Sequence, residues 1–183
     1  MSKTISPDGE DLSRRVLLAA APALAASVMA GAASAADDSP PAPSLEFALE
    51  MRITLGASQT PGATPYGKRN LVPITSGRVE GPNIRGVVLP GGGDWQLTRA
   101  DGVTILGADY MIEAEDGALI HVFNRGVVAA APGGTRYLRS SPIFEAPIGP
   151  HDWLNKAVFV ANITPAPEPD GGHGVRIRVY KVT

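Results

Sequence analysis

Six apolar residues stand at alternate positions in one short stretch: Leu45, Phe47, Leu49, Met51, Ile53 and Leu55. Glu46, Glu50, Arg52 and Thr54 sit between them. A repeat of two matches the alternating faces of a β-strand, whereas a helix returns to one face after about 3.6 residues. One face of this strand therefore packs on a core while the other meets water. Shorter stretches continue the theme. Residues 84–89 form an apolar run, followed by Pro90-Gly91-Gly92-Gly93. Residues 95–99 and 103–114 flank Asp101-Gly102, and 103–114 and 118–128 flank Asp116-Gly117. Asp-Gly between apolar runs favours a tight hairpin, because its residues accept positive φ. Runs at 136–144 and 157–163 follow, and Val175, Ile177 and Val179 alternate with polar residues near the end. Residues 60–70, rich in Pro and Gly, read as a loop.

The turn residues agree with this count of strands. Gly 21 and Pro 17 among 183 residues are about a fifth of the chain, which suits many turns and few helices. The expected fold is all-β, a single antiparallel closed barrel of roughly eight to ten strands. Closure removes the exposed edges that a long sheet would carry. A barrel of this size holds side chains or one small ligand inside.

The first residues read differently. Arg14-Arg15 precedes an alanine-rich apolar run over 16–30, and Ala33-Ser34-Ala35 supplies a small-x-small cleavage site. This pattern predicts an export signal over 1–35, of the twin-arginine type, which a receptor reads as an address. A Pro-rich linker over 36–44 and the barrel domain over 45–183 follow. The run is too short and too alanine-rich to span a bilayer comfortably, so no stable anchor is expected after cleavage. The expected location is the periplasm, with the export machinery as a transient partner. Cysteine is absent, which excludes disulfides, thiolate metal sites and cysteine nucleophiles. A net charge of −2 argues against nucleic acid as a partner.

Several segments, taken in order, carry a resemblance. They are Gly77-Arg78-Val79-Glu80-Gly81-Pro82, Leu89-Pro90-Gly91-Gly92-Gly93-Asp94-Trp95 and Asp116-Gly117-Ala118-Leu119-Ile120. Asn124-Arg125-Gly126, Tyr137-Leu138-Arg139, Pro142-Ile143-Phe144-Glu145 and Trp153-Leu154-Asn155 complete the series. Together they resemble a bacterial family of small barrels, the domain of unknown function 3237. The resemblance covers nearly all of 45–183. It implies a compact antiparallel barrel, calycin-like in appearance, with a central pocket, and implies no particular activity. Two departures stand out: the export segment is not general in the family, and the loop over 164–174 is long.

Candidate chemistry centres on carboxylates near glycine turns. Glu80 and Asp94 are the candidate acid/base pair, since a carboxylate beside an aromatic wall has a raised pKa and moves protons. Each also suits a structural role, satisfying turn amides. Trp95 and Trp153 are candidate pocket walls, able to stack on a flat ligand, and each equally suits core packing. Arg139 is a candidate anion or enolate stabiliser, or an internal partner of Glu145 or Asp94. His121, on the face of Leu119 and Phe123, is expected to point inward. His121, His151 and His173 show no zinc-like spacing, and no metal is expected. Gly91-Gly92-Gly93 lacks the lysine ending and following helix of a phosphate loop, so no cofactor is expected.

Two functions fit these residues. One is an acid/base enzyme, an isomerase, hydratase or cyclase for a small carbonyl or aromatic compound. The other is a periplasmic binding protein that holds a small hydrophobic ligand. A third use of the barrel wall is to join copies of the chain into a homo-oligomer.

Overall fold

A computed structural model describes residues 39–166 and 173–183. The predicted export segment over 1–35, part of the linker and the centre of the 164–174 loop lie outside the described residues. The described part is all-β and antiparallel. Its strands are β1 (Leu45–Leu55), β2 (Gln59–Thr64), β3 (Gly67–Glu80), β4 (Arg85–Val88) and β5 (Gly93–Thr98). They continue as β6 (Thr104–Ala114), β7 (Leu119–Ala130), β8 (Arg136–Glu145), β9 (Phe159–Pro165) and β10 (His173–Val182).

The sheet closes on itself. From β1 it runs through β10, β9, β8, β7 and β6, reaches β4 and β5, and returns through β3 to β1. The short strands β4 and β5 share one position between β3 and β6, so the ring has eight places. β2 pairs only with the first part of β3 and extends outward as a hairpin. The barrel expected from the alternation is therefore present.

The strand β3 makes closure work, and it overturns the reading of 60–70 as a loop. Those residues form the hairpin between β2 and β3. Its polar start, Lys68-Arg69-Asn70, and Pro73 and Gly77 hide the strand pattern. Their positions are structural. β3 pairs β2 up to Leu71 and β1 from Ile74, so Pro73, which has no N–H, falls where β3 changes neighbour. Gly77 sits where β1 and β4 crowd β3 from both sides. A Cβ there would lie 2.5 Å from the Arg52 carbonyl oxygen and 3.0 Å from Val88.

The two Asp-Gly hairpins form, but with three-residue loops rather than two. Gly102 N–H donates to the Arg99 carbonyl, and Gly117 N–H to that of Ala114. Both glycines take φ of +82°, so each closes a turn with a bulge. Each aspartate accepts a bond at 3.1 Å from the amide two residues on, Val103 and Ala118.

Inward side chains divide the barrel into two halves. Leu49, Met51, Val79, Ile112, Ile120, Val122 and Val179 pack one end solid. A short 3-10 turn over Asp152–Lys156 plugs that end. Leu154 is buried there, and Asn155 clamps Ala146 by accepting from its N–H (2.8 Å) and donating to its carbonyl (2.9 Å). Phe159 sits edge-on between Phe144 (5.2 Å) and Trp153 (6.0 Å). Phe159 is 1% exposed, so truncating it leaves a cavity that the surrounding strands cannot collapse into. Phe159→Ala is expected to cost about 3–5 kcal/mol in urea unfolding followed by circular dichroism.

Candidate active site in the barrel interior

The other half of the barrel is not filled. A cavity of about 150 Å³ lies there, walled mostly by apolar residues such as Ile53, Ile74, Leu106, Leu138 and Ile177. A cavity of that size admits roughly one aromatic ring. Four polar side chains line it: Asp94, Gln96, Tyr110 and Asn124.

Alternation puts them there. On β5, Asp94 and Gln96 point inward, and on β6 Tyr110 follows Leu106 and Ala108 on the same face. On β7, Asn124 follows Ile120 and Val122 inward. Asp94 is held at both oxygens. Gly107 N–H donates to Oδ1 at 2.9 Å and Gln96 Nε2 donates to Oδ2 at 2.8 Å. Behind Gln96 a relay leads outward: Asn70 Nδ2 donates to Gln96 Oε1 (3.3 Å), and Thr60 Oγ1 donates to Asn70 Oδ1 (2.9 Å). The carboxyl plane is thereby fixed, and lone pairs remain for the cavity.

Burial is the largest influence on Asp94 and pushes its carboxyl above the usual carboxylate range; the bonds from Gln96 and Gly107 oppose the shift. Tyr110 is buried, and its hydroxyl donates to Met51 Sδ at 3.3 Å, a weak acceptor. Burial first, then the charge of Asp94, raises the Tyr110 phenol, so it stays neutral and remains a proton donor. The Asn124 carboxamide oxygen is buried with no hydrogen-bond partner among the described residues. An orphaned acceptor on a cavity wall calls for a donor from outside the protein. No cluster of His, Cys, Asp and Glu suited to a metal ion occurs among the described residues.

The residues singled out from the sequence are not brought together. Asp94 alone of them lines this cavity. Trp95 is its neighbour on β5 and so faces outward, 52% exposed. Glu80 follows inward Val79, lies outside near Arg78 (3.8 Å) and borders a shallow outer groove. Trp153 belongs to the plug, packed on Phe159. Arg139 faces outward over the Tyr137 ring at 5.4 Å, and pairs with neither Glu145 nor Asp94 in the described residues. His121 also points outward, because Ile120 and Val122 take the inward positions. Its Nε2 meets Asp109 at 2.8 Å and its Nδ1 meets Glu145 at 3.0 Å. Those contacts, Asp109 foremost, raise the imidazole pKa.

Gln96, Tyr110 and Asn124 escaped the sequence reading. Asn124 is in register with Ile120 and Val122, but β7 is apolar on both faces, so spacing alone does not say which face is inward.

A small closed antiparallel barrel with a one-ended apolar cavity and a buried carboxyl on its wall is the class of protein defined so far. The chain belongs to the family described as protein of unknown function (DUF3237), whose model matches residues 43–182. It is 35% identical over 130 residues to a UPF0311 protein of Clostridium acetobutylicum, covering 64% of this chain and 79% of that one. It superposes with a TM-score of 0.72 on a beta-barrel like protein from Acinetobacter baumannii, at 27% identity, covering 80% of this chain and 99% of that one. It is also 32% identical over 130 residues to a hydroalkoxylation enzyme of Penicillium herquei, covering 70% of this chain and 80% of that one.

The raised Asp94 carboxyl has a consequence for stability. Its contribution is fully present below the pKa of an unfolded aspartate and is lost as pH rises through the higher folded value, because the folded state then holds a buried charge. Asp94→Asn removes that charge, and the Gln96 and Asn70 amides can turn over together to keep their bonds. The variant is expected to melt at a higher temperature than the parent at pH 7, with the difference vanishing near pH 3, in thermal scans across pH.

Proposed function

We propose that the barrel is an acid/base enzyme for a small single-ring phenol or enol, with Asp94 as the proton carrier. The observation that carries this reading is a carboxyl with raised pKa on the wall of an apolar cavity, next to a neutral phenol donor. A carboxyl whose pKa burial raises is a stronger base than a free aspartate, and so is better suited to exchange protons with a bound substrate. Tyr110 donates to a carbonyl or developing oxyanion, and the Asn124 oxygen accepts from a substrate hydroxyl or fixes its orientation.

The likeness to the hydroalkoxylation enzyme supports one version of the chemistry. Hydroalkoxylation adds O–H across C=C. Asp94 takes the hydroxyl proton as the oxygen forms a bond to one alkene carbon. The π pair shifts to the neighbouring carbon, which takes a proton back from the Asp94 carboxyl. The product is an isomer of the substrate, so no other reactant is needed. Isomerisation and hydration use the same carboxyl in the same way.

A second reading, a binding protein that leaves its ligand unchanged, is favoured by the largely apolar lining. In either case we propose that the first 35 residues direct export to the periplasm, a reading supported by Arg14-Arg15 and by Ala33-Ser34-Ala35.

Native mass spectrometry and turnover of 2-allylphenol, a one-ring phenol carrying an alkene, separate the two readings. The enzyme reading expects ring closure of the probe. It also expects Asp94→Asn to lower turnover by about 10²-fold or more while binding is kept. Tyr110→Phe is expected to lower it less. Binding of the probe with no conversion, and with no effect of Asp94→Asn, would favour the carrier.

A further inference from the structure

The outer face of β6, β7 and β8 carries a pattern that the cavity does not use. Register sets its side chains in rows across the strands. One row holds Met111, His121 and Glu145; the next holds Asp109, Phe123 and Ile143. Then come Gly107, Arg125 and Ser141, followed by Ile105, Val127 and Arg139. Asp109 and Glu145, both bonded to His121, thus occupy one end of the wall and Arg125 and Arg139 the other, with Phe123, Ile143 and Val127 among them. Ile143 is 59% exposed, and Trp95, Val127 and Tyr137 are exposed on the same side. Large exposed apolar side chains gathered on one face of a small domain suit an interaction surface.

The charges identify what would cover it. Arg125 and Arg139 have no ion pair among the described residues. Arg139 and Glu145 lie on one strand six residues apart, about 20 Å at strand rise, so they cannot meet within a protomer. A two-fold axis lying across the strands, between the Phe123 and Arg125 rows, reverses the row order of a second copy placed face to face. Arg139 then lies over Glu145 of the second copy, and Arg125 lies beside its Asp109. Gly107 leaves a gap in the wall, since a Cβ there would meet only the Trp95 carbonyl oxygen at 3.4 Å, and the gap makes room for the opposing row. By symmetry each pairing occurs twice, which is the self-complementarity a two-fold interface requires.

We propose that this wall is the interface of a homodimer, built on an apolar centre and a reciprocal Arg139–Glu145 pair between copies. It is independent of what the cavity binds.

Sedimentation equilibrium on the purified protein tests it. A dimer is expected, with Arg139→Glu and Glu145→Arg each raising the dissociation constant about tenfold or more. The double variant Arg139→Glu with Glu145→Arg restores the pairing with its sign reversed, and is expected to return to within about threefold of the parent. Ile143→Glu, at an exposed position, is expected to give monomer with an unchanged circular dichroism spectrum. A parent that is monomeric at about 100 μM would overturn the proposal, since it implies a millimolar-range affinity at best. Single variants that leave the dimer intact, or a double variant no better than the singles, would overturn it as well.

Discussion

A sheet of this length has two edges, and here they meet where β1 pairs with β3, from Glu50 opposite Glu80 to Leu55 opposite Ile74. That pairing turns the inward faces of the strands into the walls of a finite space. Whatever the strands place inside must pack or leave a void. Large residues such as Phe144, Phe159, Met51 and Leu49 fill one end, with the plug over Asp152–Lys156 beneath them. Toward the other end the inward residues include Ala108 and Val128, and the space between them stays open. The cavity is thus a result of closure and of where bulk is placed along the strands.

Within that space a polar group costs free energy unless it is hydrogen-bonded. Asp94 is bonded at both oxygens and still sits above its ordinary pKa, because the two donors do not offset burial. Nearby, the Asn124 oxygen is unpartnered and the Tyr110 hydroxyl has only a thioether. Ser140 Oγ, His151 Nδ1 and Trp153 Nε1 are also buried without a partner among the described residues, but the cavity alone joins such an atom to a carboxyl of raised pKa. This is why the cavity, and not the larger grooves on the outside, is the place to look for chemistry.

Much of the fold was legible in the residues. The alternation from Leu45 to Leu55 and the two Asp-Gly turns point to the antiparallel sheet, and closure follows from the need to hide edges. The start of β3 was not legible, because its polar Lys68-Arg69-Asn70 and Pro73 hide the alternation, though Pro73 falls where the strand changes neighbour. The site was legible only in part. Asp94 and Trp95 are both candidates for the pocket, yet adjacent residues on a strand face opposite sides, so only one of them can line a cavity. On β7 the residues are apolar on both faces, and the choice between His121 and Asn124 as the inward one depends on packing that spacing alone does not encode. Gln96 becomes visible as a holder of Asp94 only once the β3–β5 pairing brings Asn70 opposite it.

The central claim is that Asp94 is a buried carboxyl of raised pKa facing a cavity. Carboxyl-¹³C NMR titration of the protein, assigned through Asp94→Asn, tests it most directly. The Asp94 resonance is expected to titrate above the roughly 3.9 of a free aspartate and to move when a one-ring phenol binds. A midpoint at or below that value, with no response to the phenol, would contradict it.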